Sequence, residues 1–352
     1  MLPPVKPVPT TTSATSPVVV CRLFSLALGL LLAHGSLRAA TVEDVRLKMG
    51  SRFEITAISS DESAARAAID AAYDEIDRIE SLISSWKTTS ATSTVNALAG
   101  QGPVPVPREL FNLVRRSLKV SELTAGAFDI SFAGAGQLWD FKSAAPRLPE
   151  PDKIRSALSV VDYKLIQLDE RAGTVDLTRS GMRIGFGAIG KGYAANRAVH
   201  VLKELDIDGG VVNAGGDLLA FGRQEDGDPW TVAIADPLHR DKVFAYLEIS
   251  DTAIVTSGDY ESFIEIEGVR YSHILDPRTG FPVRDVRSAT VLCPDAELAD
   301  ALATGISVLG PEAGLELLNR LKNIDGIIVD SEGELSFSDN LKSRFIEKEV
   351  TE

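Results

Sequence analysis

Apolar and polar positions alternate from Val42 to Ile58 among β-formers, a pattern that predicts one or two strands. Ser60 and Asp61 then offer a cap. Beyond them Ala65, Ala68, Ile69, Ala72, Tyr73, Ile76, Ile79, Leu82 and Ile83 recur at intervals of three and four. That spacing predicts a long helix with one buried face. A polar stretch covers 84–102, and a second helix is predicted to begin near Pro107, where proline suits a first turn. The Gly, Ala and Pro content between Asp129 and Pro151 predicts a surface loop. Short strands are predicted at 165–168, 174–177, 211–213, 218–221, 230–234, 243–249, 253–256, 262–267, 288–292 and 326–329. Helices are predicted at 191–205, 296–309 and 311–321. With no internal repeat and no composition break after residue 40, the chain reads as one α+β unit over 41–346, followed by a tail at 347–352.

The first 40 residues stand apart. They hold Lys6, Arg22 and Arg38 but no acid, with an almost wholly apolar run over 23–33 and a small-residue ending at Ala39 and Ala40. The run is too short to span a bilayer comfortably, so the segment reads as a secretory signal peptide, with an amino-terminal anchor as the alternative. An exported, periplasmic location is the expectation, with inner-membrane anchoring if the leader is retained. Cys21 precedes the apolar run, which is not the arrangement of a lipoprotein. Without the leader the chain carries 33 basic and 50 acidic residues, a net charge of −17. Such a surface repels nucleic acid, and an anionic ligand would need a locally positive site or a metal ion. Cys293 alone would remain, so no intramolecular disulfide is expected.

Met-Arg-Ile-Gly-Phe-Gly-Ala-Ile-Gly-Lys-Gly at 182–192 reads as a strand end running through glycines into a helix. Gly185, Gly187 and Gly190 fit a dinucleotide fingerprint, and 185–191 fits the start of a P-loop. The P-loop then needs Ser or Thr, where Gly192 stands, and the fingerprint lies mid-chain rather than opening a βαβ unit. What remains is a helix N-terminus that offers N–H groups to phosphate. Lys191 there opposes the helix dipole, which points to a nearby anion, or else to a lysine reaching into solvent.

Asp300 and Thr304 are four apart in a segment of helical period, so one face presents two oxygens to a hard cation such as Mg²⁺. An aspartate near a helix start also serves as a cap. His273 precedes an Asp-Pro-Arg-Thr-Gly turn at 276–280, which would hold it at a strand end. Of the four histidines it is the best placed for a general base, with a structural hydrogen-bonding role as the alternative.

In this order the pieces resemble the ApbE family of FAD:protein FMN transferases. The resemblance runs from Met49-Gly50-Ser51 through Ser85-Trp86 with Ser90 and Asn96, then Gly126 to Ile130 with Leu138-Trp139, and Gly187 to Tyr193. Asn213 to Asp217, Thr256 to Tyr260, Ser272 to Gly280 and Ala299 to Thr304 complete it. It implies a T-fold-like architecture of mainly antiparallel sheets with packed helices. FAD as substrate is implied to lie among Met49, Trp86, Ala127, Phe128, Asp129, Gly185, Lys191, His273 and Ile274. Mg²⁺ is implied to be held by Asp300, Thr304 and the main-chain oxygen of Ala188. The implied reaction moves FMN from FAD to a Thr or Ser hydroxyl of an acceptor flavoprotein and releases AMP, with His273 and Lys191 as catalytic groups. Membrane contact would come only through the leader or a membrane-bound acceptor. An FAD pyrophosphatase and a non-catalytic flavin-binding protein are the alternatives. For Trp86 and Phe128, core packing weighs as much as flavin stacking. The sequence departs from the family at Gly185, where many members have Asp, at Ala91 and Asn196, and at Ala303, where some have another acid. Fewer protein oxygens would then reach the cation.

Overall fold

A computed structural model describes residues 40–143, 145–235 and 243–342. Residues 1–39 of the expected leader and the tail at 347–352 lie outside the described residues, and the leader's last residue, Ala40, opens the first strand. Eight strands form the main sheet: β1 (Ala40–Lys48), β2 (Ser51–Ser59), β3 (Gly209–Ala214), β4 (Asp217–Phe221), β5 (Thr252–Gly258), β6 (Val286–Cys293), β7 (Asp325–Asp330) and β8 (Leu335–Phe337). They lie side by side in chain order, and every neighbouring pair is antiparallel. Five longer helices accompany them: α1 (Glu62–Ile83), α2 (Arg108–Leu123), α3 (Gly190–Glu204), α4 (Ala296–Leu309) and α5 (Pro311–Arg320).

Alternation along each strand assigns its two faces. Phe53, Ile55, Val212, Ala214, Leu219, Val255, Ala289 and Val291 join the buried face of α1, α3 and α4 in the main core. Val211, Leu218, Ala220, Ile254, Leu292 and Ile327 point the other way, onto Trp230, Val232 and Ile249 of a separate strand pair, Trp230–Ala235 with Val243–Ile249. The sheet is thus buried on both sides. Asp61 caps α1 as its position predicts, accepting from the Ser63 and Ala64 amides.

Several local expectations need correction. The polar stretch after α1 contains a helix, Ala91–Ala97, capped by Ser90, whose hydroxyl accepts from the Ser93 amide at 2.9 Å. The expected surface loop after Asp129 instead folds into a 3₁₀ turn, Ile130–Phe132, and one helical turn, Ala133–Gly136. A further helix, Pro151–Leu158, follows it. Small side chains with little periodic contrast hid these turns, and Trp139 was the visible clue, being 4% exposed. Residues 182–189 form no strand. Residues 187–189 turn into α3, and before them the Asn96 side chain holds Ile184 in place of a strand neighbour, donating to its carbonyl at 2.9 Å and accepting from its amide at 2.8 Å.

Candidate functional site

The site assembles where the starts of α3 and β4, the middle of α4 and the end of β5 meet a small hairpin. That hairpin pairs Phe263–Ile266 with Val269–Ser272. α3 and α4 approach unusually closely. A Cβ on Gly192 would stand 2.1 Å from the Ala296 carbonyl oxygen and 2.9 Å from the Asp300 Cβ. The Ser or Thr of a P-loop therefore has no room there, and the flanking strands are antiparallel, which also removes the dinucleotide reading.

Asp300 is not the cap of its own helix; Asp295 is, accepting from the Leu298 amide at 3.1 Å. Its carboxylate instead reaches across to α3 and accepts from the Gly192 amide at 3.0 Å, serving one of that helix's unsatisfied donors. Burial, and then repulsion from Asp217, push the Asp300 carboxyl well above the usual carboxylate range, against the opposing pull of Lys191 and the Gly192 N–H. One turn on, the Thr304 hydroxyl lies 3.4 Å from Ser257 Oγ at the end of β5.

The anion that Lys191 implied is the protein's own. Its Nζ sits 2.8 Å from Asp217 Oδ2, and the Asp217 side chain is only 2% exposed. Burial disfavours the ammonium charge, yet Asp217 and Asp300 together outweigh that and raise its pKa. Burial likewise raises the Asp217 carboxyl, with Lys191 pulling it down.

His273 follows the second hairpin strand. Both its amide (2.9 Å) and its ring Nδ1 (3.1 Å) meet the Ser262 carbonyl. A carbonyl only accepts, so Nδ1 carries the hydrogen and Nε2 keeps its lone pair. Burial, and then the charge of Lys191, hold the ring below the ordinary histidine pKa. The following turn is anchored from beneath. Thr279 and Gly280 donate to the Asp276 carbonyl, and the Trp139 indole donates to the Gly280 carbonyl at 2.9 Å.

The remaining sites predicted from sequence sort by exposure. Trp86 is 79% exposed, so its indole belongs to no core, whereas the Phe128 ring is 2% exposed inside the main core and offers no free face. Ala127 and Ile274 pack together with Val308. Both Asp129 oxygens are taken by backbone amides, of Ser131 at 2.7 Å and Tyr163 at 2.9 Å, so that carboxylate holds the turn. Met49 lies over the start of α3, its Cε 3.6 Å from where a Gly190 Cβ would stand. Gly185 packs with Ala133 Cβ 2.8 Å from its own missing Cβ. Ala188 is half-buried in the turn before α3. Asn96, Trp139, Asp217 and Ser257 lie in the sequence motifs, but only the folded chain shows what each of them holds.

Among the described residues no cluster of three or more His, Cys, Asp or Glu side chains could hold a metal. The donor set nevertheless suits a hard divalent ion: a buried carboxylate and a hydroxyl on one helix face, in a site where two carboxylates act on one lysine.

An acid and an ammonium face each other in an antiparallel α+β fold, with an imidazole close enough to feel the ammonium's charge, and the similarities below make the protein a transferase. The model of the ApbE family matches residues 49–328. The FAD:protein FMN transferase of Treponema pallidum is 35% identical over 281 residues, 75% of this chain and 77% of that protein. One from Klebsiella pneumoniae is 32% identical, covering 84% and 85%. The crystal structure of the ApbE protein of Thermotoga maritima superposes with a TM-score of 0.80 at 31% identity, over 86% of this chain and 98% of that one. The apo flavinyl transferase ApbE of Pseudomonas stutzeri gives 0.77 at 28% identity, over 87% and 96%. The chain belongs to the ApbE family.

Proposed function

We propose that this enzyme transfers FMN from FAD to a Thr or Ser hydroxyl of an acceptor protein and releases AMP. The observation that carries the reading is the Asp300 and Thr304 oxygens on one helix face, the Lys191 ammonium drawn toward Asp217 and Asp300, and a neutral His273 within reach of the Lys191 charge. His273 Nε2 takes the proton of the acceptor hydroxyl, and its Nδ1–H bond to the Ser262 carbonyl keeps the ring in that tautomer. The hydroxyl oxygen bonds to the phosphorus on the FMN side while the bond to the AMP phosphate breaks, so a phosphoester forms as AMP departs. Lys191 supplies positive potential to the phosphates, and the exposed Trp86 supplies an apolar face for a ring. Mg²⁺, when held by Asp300, Thr304 and the Ala188 carbonyl, supplies charge neutralisation for the pyrophosphate. Export fits the leader at 1–40, with 41–346 as the catalytic unit.

Mass spectrometry of an acceptor co-incubated with the protein, FAD and Mg²⁺ tests the reading. The acceptor should gain the mass of FMN, and Asp300→Ala should abolish the gain. Rapid release of free FMN with no adduct would instead assign the pyrophosphatase, and intact FAD would assign a binding protein.

A further inference from the structure

A lysine at the second position of a helix opposes the dipole, and its four-carbon stem is free to carry the ammonium into water. Lys191 keeps the first disadvantage and does not take the second course. Its stem runs past Gly215, whose missing Cβ would stand 3.8 Å from the Lys191 Cδ and 2.9 Å from the Ser51 Cβ. The ammonium ends 2.8 Å from Asp217, the first residue of β4. The turn that delivers Asp217 is built for this. Asn213 Oδ1 accepts from the Gly216 amide at 2.8 Å, and Gly215 and Gly216 take φ of +69° and +110°, which other residues adopt only with strain. Ala214 pairs directly with Asp217 across it.

A buried ion pair is a poor source of stability, because two desolvated charges recover little more than they lose. Its use is to fix where a charge stands. We propose that Asp217 is a positioning residue. It holds the Lys191 ammonium beside Asp300, at the place where the phosphates of the flavin dinucleotide bind. Asp217 touches no substrate atom; it acts through Lys191. This rests on the function proposed above and adds to it the group that aims the lysine.

A double-mutant cycle read by equilibrium FAD binding tests it, using flavin fluorescence without acceptor, alongside the FMN-transfer rate. Asp217→Asn keeps shape and removes charge, and thermal unfolding establishes that the variant is folded. In the wild-type background it should weaken FAD binding and slow transfer by about tenfold or more. In a Lys191→Met background the same substitution should change either quantity by less than about twofold. Equal losses in both backgrounds would overturn the proposal, since Asp217 would then act independently of the lysine; so would an unchanged Asp217→Asn enzyme. Should the asparagine variant fail to fold, Asp217→Glu retains the charge and moves it by one methylene. It should bind FAD more weakly only where Lys191 is present, and a loss of equal size beside Lys191→Met sinks the idea. A wild-type protein that binds no FAD would defeat the functional reading itself, an outcome distinct from an additive cycle.

Discussion

One imidazole contributes to this protein's response to acid in a way that can be read at a single residue. Burial keeps His273 below its ordinary pKa of 6.5, so on acidification the unfolded chain takes up this proton before the folded one does. The stability tied to His273 is therefore whole above pH about 6.5 and lost as pH falls through the lower, folded pKa. His273→Gln should flatten that part of a thermal-unfolding profile and slow transfer by about 10² to 10⁴. FAD binding should persist in the same variant; a full transfer rate would remove His273 from its role as base. The turn that follows it singled this residue out in the sequence, yet only the fold shows why the neutral form prevails, since Ser262 lies across the hairpin. The same limit applied to Phe128 and Trp86. Sequence weighed packing and stacking alike for both, and burial separates them, one ring inside the core and one in solvent.

At the level of elements, the crossing of α3 over α4 decides the site. Gly192→Ser would drive a side chain into the Ala296 carbonyl, and forced overpacking of this kind costs about 1–3 kcal/mol. Calorimetry should record a lower Tm for it, together with weaker retention of whatever Asp300 binds; an unchanged Tm would mean that the two helices are not packed so closely. Long amphipathic helices and alternating strands were legible in the sequence because burial on one face writes a period into the chain, as in α1 and β2. The turns after Asp129 were not, because Ala and Gly carry little of that contrast. Nor could sequence show that the indole of Trp139 supports the turn beyond His273, a bond spanning 141 positions.

For the whole molecule, charge sets the terms of ligand binding. A chain this acidic, −14 in total, gathers two buried carboxylates around one lysine, and a divalent ion bound there would relieve their repulsion. Mg²⁺ at about a hundred times its Kd should stabilise the protein by about 2.7 kcal/mol, seen as a rise in Tm that Asp300→Asn removes. An equal rise in that variant would place the ion elsewhere. The chain-order sheet has a kinetic consequence as well. Ile58 of β2 pairs with Gly209 of β3, so the first hairpin waits for α1, α2 and α3 to be synthesised before it finds its neighbour. Closing so long a loop is entropically slow, which leaves the nascent chain unfinished, and open to chaperones, until well over half of it exists.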